Sequence, residues 1–546
     1  MKNCGITENV NVIARTPFRQ RIAAPLRILI LAAILFAPSA WLMTTVPPLW
    51  RDGDGYNQVV LPPALSASLG HSPLYCVLVR VPLFLGYQIE RFRGKAAPVT
   101  ENFFSHPQLT DNGVFLLVLS QHLGLCAAIF VLITTITGIF LIRIFLALLW
   151  ASNALFYTFA QCVSSETLSL ILIIAFATIA FHLCRSASRN WKTWGAYALL
   201  LWLCCLSRYV NLFLALILPL TFAASAAIKF GLNRFTKFSQ REGGPRKTVI
   251  GDLKIAFVAL AIGLACVGLG VKTIEVLSNS GHFRYYSPFG FTFLWRLRFL
   301  NDLPKPQRDA LLDQVDARTK SPEAHQLILV LRELLDEETG LHPHLVVERA
   351  RSVLPPTKVP GQVEHFDPYL NELAAVFLTP PTSAHWQATW KDFDTARRMP
   401  LATIPSSLFI TTAFYFDHTS DMRELSKLVT FRNSSAAQVI AIPSEHAYFQ
   451  LWKHVSYNFA LIFWILGLGA LLIRAPKSEK SLMIIAYGIS LNIVGALTMF
   501  APCLVGERLP RYAFPMWELL FIAFTIYAAA LLAIGGSAAP SGDVRN

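Results

Sequence analysis

The sequence predicts an all-α polytopic membrane protein with about ten transmembrane helices, interfacial helices in the first outer loop, and a mostly helical outer domain between spans seven and eight. Three observations predict it. Hydrophobic residues make up 54% of the 546 residues and charged residues only 15%, well below the ~25% of ordinary soluble domains. Apolar windows of about 20 residues, long enough to cross ~30 Å of hydrocarbon, recur along the chain. The lysines and arginines behind a net charge of +14 gather in short gaps between those windows, the pattern of cytoplasmic loops. The same clustering argues against a nucleic-acid partner, which needs a basic face on a soluble surface.

Taken in order, residues 1–26 read as a cytoplasmic N-terminus carrying Arg15, Arg19 and Arg21. The first apolar run, Ile28 to Val46, is too long for the core of a signal peptide, and its "APSA" lies inside it rather than after it. An uncleaved first span is expected. Windows near 27–46, 113–133, 137–157, 166–184, 192–207, 209–228 and 255–276 make a seven-span module, 27–276. Windows near 455–473, 481–501 and 514–535 make a three-span module, 454–535, ahead of a cytoplasmic tail, 536–546. Arg143 interrupts the third window. With the N-terminus inside, the gaps 185–192, 229–247 and 474–480 all fall inside, and all three are basic. Both termini are then cytoplasmic and the large segments lie outside, at the plasma (inner) membrane.

The outer loop, 47–112, is broken by Pro62, Pro63, Pro73 and Pro82, yet its "PLYCVLVRVPLFLGYQI" is too apolar to hang in water. Short helices lying in the membrane interface suit it. The segment 277–453 is different material, with charged faces and apolar recurrences at three and four residues, as in soluble amphipathic helices. The nine cysteines form no CxxC pair and no disulfide framework. The thirteen histidines show no HExxH spacing, so a zinc enzyme has little support.

Charged residues at the outer ends of the spans carry the functional reading. Asp52 and Asp54 follow the first span in "RDGDGY", Glu166 opens the fourth, and Arg208 ends the fifth. Arg508 and Arg511 sit between the last two, in "VGERLPRYAFP". Each has a plainer reading alone: "DGDG" is turn chemistry, Glu166 can cap its own helix after two serines, Arg208 can snorkel to headgroups, and Arg508 and Arg511 can anchor a helix end to anionic lipid. Ionisable groups near hydrocarbon are costly and tend to face one another or a cavity. Their shared face therefore describes a polar pocket at the outer interface.

This ordered set resembles the GT-C superfamily of glycosyltransferases, most closely the protein mannosyltransferase and aminoarabinose transferase branch. Those enzymes use a polyprenyl- or dolichyl-phosphate-linked sugar. Their Asp-containing loop motif is matched here by "RDGDGY", and their H-x-P-L-Y-like segment by "GHSPLY", with His71, Pro73 and Tyr75 in place. The acid near the outer start of the fourth span corresponds to Glu166, and the arginine closing the fifth to Arg208. A late "RY..P" segment is matched by Arg511, Tyr512 and Pro515. The resemblance covers roughly residues 20–275 and the last turn, and leaves 278–453 uncovered. Many relatives carry adjacent Asp-Glu where this chain has Asp52-Gly-Asp54, so which aspartate is the base stays open.

The resemblance implies inverting sugar transfer from a lipid phosphate to a lipid, glycan or protein acceptor. Asp52 or Asp54 would take the acceptor proton with Glu166 assisting, since desolvation raises carboxylate basicity. Arg208 and Arg511, with Arg508, would hold the phosphate through planar bidentate donors, and His71, Tyr75 and Tyr512 would complete the substrate site. A divalent cation, magnesium or manganese, bridging Asp52, Asp54 and the phosphate is compatible with this chemistry. Two other classes share parts of the layout. A polymerase or ligase of lipid-linked oligosaccharides has as many spans and a large outer loop, but lacks the acidic pair after span one. A transporter or flippase would show matched halves, whereas seven spans plus three is lopsided.

Overall fold

The computed structural model describes residues 18–63, 72–98, 102–186, 190–235, 245–279, 288–337, 339–354, 367–417, 425–474, 479–506 and 513–537. The described chain is almost wholly helical. Helix α1 (Phe18–Thr45) is followed by a two-residue strand, β1 (Leu49–Trp50), and then by α2 (Asp52–Val60), α3 (Pro73–Leu78) and α4 (Arg80–Phe92). Next come α5 (Asp111–Ile136), α6 (Phe140–Ala151), α7 (Ala154–Gln161), strand β2 (Cys162–Val163), α8 (Ser165–Arg185) and α9 (Trp191–Ser207). A 3-10 segment (Tyr209–Leu216) leads into α10 (Ile217–Phe235) and then α11 (Pro245–Asn279).

The outer segment supplies α12 (Pro288–Leu297), α13 (Lys305–Asp316), α14 (Pro322–Asp336), α15 (Pro343–Val353) and α16 (Asp367–Leu378). It continues with α17 (Ser383–Arg398), α18 (Thr403–Asp417), α19 (Val429–Arg432), α20 (Ala436–Glu445) and α21 (Ala447–Gln450). The last three helices are α22 (Tyr457–Arg474), α23 (Glu479–Val505) and α24 (Phe514–Ser537).

Among the described residues, seven helical stretches are long and apolar enough to cross a membrane: Pro25–Thr45, Asp111–Ile136, Ser165–Arg185, Tyr209–Gly231, Val249–Ile274, Glu479–Val505 and Phe514–Ile534. Broad apolar faces look outward, with Leu253, Phe257 and Leu264 of α11 and Ile462, Leu466 and Ile473 of α22 exposed. This is an integral membrane protein.

The third predicted span, 137–157, is not one straight helix. It divides into α6 and α7, bent by 61°, and counts as an eighth crossing only if the pair is taken together. The cause is local: Asn153 turns its amide oxygen to the Leu155 N–H at 3.1 Å and starts a new helix. Arg143, whose charge marked this window, donates to the Thr137 and Thr134 carbonyls at 2.7 and 3.2 Å and so caps the end of α5. The windows predicted at 192–207 and 455–473 are helical, as α9 and α22, but of 17 and 18 residues. At 1.5 Å per residue each is about 26 Å long, slightly less than the ~30 Å hydrocarbon core.

Within 47–112 the apolar stretch forms α3 and α4, as short helices were expected to. One face is buried through Leu83, Gly86 and Tyr87, while Val77, Val81, Leu85, Ile89 and Phe92 form an uncovered apolar stripe on the other.

The segment 277–453 packs in two ways. Helices α12–α16 share a core of their own, built on Phe293, Leu312, Leu327, Leu331, Leu373 and Phe377. Helices α18, α20 and α21 join the membrane bundle, where Phe409, Ala413, Val439 and Phe449 merge with its main core, while Phe431 of α19 packs with Tyr75, Leu83 and Tyr87 of the interfacial helices. Helix α17 links the two by packing against α23, with Trp390 and Phe393 on Phe500 at centroid distances of 5.2 and 5.6 Å. Cys76 and Cys503 are not joined in a disulfide.

Candidate functional site

The site begins with four residues of sheet. Leu49 and Trp50 pair in parallel with Cys162 and Val163, which ties the exit of the first span to the entry of the fourth. Each strand runs directly into a charged residue or helix start: Arg51 follows β1, and Glu166 lies in the first turn of α8. Strand pairing thereby brings together side chains 115 residues apart. Gln58 of α2 reinforces the junction, its amide oxygen accepting from the Ser165 N–H at 3.2 Å.

Glu166 has no exposure to solvent. Arg51 donates to its Oε1 in a close ion pair, and Arg208 reaches the same oxygen at 2.8 Å. Arg208 is set there by a break in the chain, being extended (φ −159°, ψ 143°) between α9 and the 3-10 segment. Asn211 holds that elbow from behind, donating to Ser169 Oγ at 2.8 Å, Ser207 Oγ at 2.9 Å and the Cys204 carbonyl at 3.0 Å. Three charges from three elements thus converge in a nearly dry place, where each needs the others to offset its desolvation.

Tyr75 approaches from the interfacial helices. Its hydroxyl donates to Gln121 Oε1 at 3.0 Å, and the Gln121 amide donates to the Ala160 and Cys162 carbonyls, both at 3.0 Å. At the start of α3, Ser72 Oγ accepts from the Tyr75 N–H and donates to the Leu206 carbonyl, both at 3.2 Å. The "SPLY" segment therefore touches both arms of the site, β2 on one side and the end of α9 on the other. Burial, with the Cys162 and Cys76 thiols and the Glu166 carboxylate nearby, holds the Tyr75 phenol well above its ordinary range. It acts as a neutral hydrogen-bond donor.

The other predicted site residues stand as follows. "DGDG" is not a free turn: Asp52 opens α2, and Asp54 lies in its first turn. The side chains of Asp52 and Asp54 lie outside the described residues, as do His71, Arg508, Arg511 and Tyr512. Gly55 allows α2 to sit this close, because a Cβ there would stand 2.6 Å from the Val163 carbonyl oxygen. Among the described residues no three His, Cys, Asp or Glu side chains group to hold a metal. The Asp52 and Asp54 carboxylates that the sequence offers to magnesium or manganese lie outside the described residues.

Two participants escaped the sequence reading. Arg51 has no role in the sequence reading, although its position directly before the acidic pair is an available signal. Thr412 of α18 gave no signal at all. It accepts from the Trp50 N–H at 2.8 Å and lies 3.1 Å from the Trp50 carbonyl, so the outer segment clasps the edge of β1 that β2 leaves unpaired. Thr412→Val keeps the shape and leaves the buried Trp50 N–H without its acceptor, an expected loss of about 1–3 kcal/mol. Thermal unfolding in detergent measures it, and a wild-type midpoint would show that the clasp is not stabilising.

A scan against protein-family models gives no match, and a search of curated proteins gives none.

Proposed function

We propose that this chain is a membrane glycosyltransferase that moves a sugar from a polyprenyl-phosphate donor to an acceptor hydroxyl at the outer membrane face. The observation that carries this reading is the Arg51–Glu166–Arg208 cluster, with the Asp52–Asp54 helix beginning at the next residue. Sugar transfer from a lipid phosphate needs a base for the acceptor proton and cations for the phosphate, side by side and shielded from water. The junction supplies both kinds of group from widely separated parts of the chain.

In the reaction, the acceptor oxygen attacks the anomeric carbon as its proton passes to Asp52 or Asp54. The bond from that carbon to the phosphate oxygen breaks, and the phosphate stays on its lipid. A single displacement inverts the anomeric centre. Arg208, with Arg508 and Arg511, binds the phosphate. Glu166 is better described here as a positioning residue than as an assisting base, since both guanidiniums occupy the same carboxylate oxygen. Helices α3 and α4 lie in the interface with their apolar stripe in lipid, so a donor held by its prenyl tail meets the arginines at membrane level. Ten spans with both termini cytoplasmic complete the reading, α9 and α22 crossing with slight thinning of the bilayer.

The test is transfer of labelled sugar from polyprenyl-phosphate donors by membranes containing Asp52→Asn/Asp54→Asn. Transfer should fall by at least the factor of about a hundred that general bases contribute. Undiminished transfer by a folded, inserted double variant removes the proposal.

A further inference from the structure

The sequence reads 277–453 as soluble amphipathic helices, yet α17 leaves two indoles in the open, Trp386 at 38% and Trp390 at 56% exposure. Three faces run along this helix. One is buried through His385, Thr389 and Ala396 and is fastened to the neighbouring domain core. There Arg296 of α12 donates to Thr389 Oγ1 and the His385 carbonyl, at 3.3 and 3.4 Å, and pairs with Asp392. A second face is aromatic, because Trp386, Trp390 and Phe393 recur at four and three residues. The third is charged, with Lys391 exposed and 3.9 Å from Asp302, and Arg398 held to Asp394 at 2.8 Å.

Contacts with the spans set the level of the aromatic face. The rings of Trp386, Trp390 and Phe393 meet Phe500 of α23 at centroid distances of 6.2, 5.2 and 5.6 Å. His385 Nε2 donates to the Leu504 carbonyl at 3.0 Å, one turn nearer the end of the same span. At the far end of α17, Arg397 donates to Asn458 Oδ1 at 3.3 Å. Asn458 starts α22, whose Phe459, Ile462 and Phe463 look outward. Helix α23 has 27 residues and is about 40 Å long, roughly 10 Å more than the hydrocarbon core. Shared between its ends, the excess leaves about 5 Å of helix in each headgroup layer. Phe500 lies about 7 Å inside Val505, the last residue of that helix. It stands just below the hydrocarbon boundary, and the indoles packed on it stand at that boundary. Tryptophan suits this level, having an apolar ring and one N–H for a headgroup oxygen. Lys391 and Arg398 on the adjoining face suit the phosphates.

We propose that α17 is an interfacial helix whose Trp386–Trp390 face is immersed in the phospholipid headgroup layer, so that the α12–α16 core stands on the membrane. The occupant is lipid because the face adjoins α22 and α23, spans whose outward apolar surface lipid already covers. A contact of this kind holds the domain at a fixed height through Arg296 and the buried face of α17. It applies whichever way the bundle is oriented and does not rest on the sugar-transfer reading.

Fluorescence of the full chain in lipid nanodiscs holding one copy each tests it, since no second copy can then cover the face. The emission of wild type minus that of Trp386→Phe/Trp390→Phe isolates the two indoles. In discs of phosphatidylcholine brominated close to the headgroup, this difference emission should lose most of its intensity. Lipid brominated near the chain ends should quench it less, and so should iodide in the water. Stronger quenching by iodide than by either lipid overturns the proposal, because the face is then in water. Stronger quenching by the deep bromines places the face in hydrocarbon and overturns the headgroup level. A difference emission untouched by all three means that the chain itself covers the indoles, which also overturns it. Should the phenylalanine pair impair insertion, Trp386→Tyr/Trp390→Tyr keeps an amphipathic ring at each place and supplies the same subtraction.

Discussion

Glu166→Gln is expected to destabilise the folded protein by about 3–5 kcal/mol, the usual cost of removing one member of a buried ion cluster. The glutamine nearly matches the shape, so packing is not what changes. What goes is the charge that Arg51 and Arg208 share on one oxygen, in a place where Glu166 has no contact with water. Two guanidiniums then face each other with less to offset their repulsion and desolvation. Adding Arg51→Met should recover part of the loss, because neighbouring members of one network are not additive. Thermal unfolding of the two variants in detergent decides the matter. Equal losses in the single and double variants would show that the cluster contributes only through shape.

The second large effect is expected at Gly55. An alanine Cβ there meets a backbone carbonyl at 2.6 Å, and that carbonyl belongs to Val163 in β2, which cannot swing aside as a side chain would. Helix α2 must lift away from the junction, at a cost of about 1–3 kcal/mol. If Asp52 or Asp54 is the base, the larger consequence is kinetic, since a displacement of about 1 Å at a reacting group costs about a hundredfold in rate. Gly268→Ala, on α11 with nothing within 4 Å of the added atom, is the control and should be neutral or slightly stabilising. Gly55→Ala with wild-type transfer would detach α2 from the chemistry.

The sequence and the structure agree where the signal is long and chemical, and part where it is short and geometric. The apolar runs behind α5, α8, α11, α23 and α24 are readable because each sustains a full membrane crossing. Glu166 and Arg208 could be placed on one face from loop charge alone, and the structure brings them to 2.8 Å. The bend at Asn153 was hidden because an apolar run reads the same whether one helix or two pass through it. The division of 277–453 was also illegible: nothing in the sequence separates α18 from its neighbours as a group, and its packing against β1, α7 and the main core shows that it belongs to the membrane bundle. Asp111, in the last residues of the expected outer loop, opens α5 and also caps α19 by accepting from the Val429 and Thr430 N–H groups, both at 2.9 Å.

The clasp on β1 also sets a timetable for biogenesis. Trp50 and Thr412 are 362 residues apart, so at about 5–20 residues per second the ribosome needs roughly twenty seconds to over a minute to make the second after the first. Once β2 has been made, β1 and β2 can pair while the far edge of β1 stands open, in a chain already threading into the bilayer. An open strand edge invites other chains. The nascent protein therefore has a defined window of vulnerability that closes only when α18 emerges, and a ribosome stalled before that helix would leave the edge uncovered.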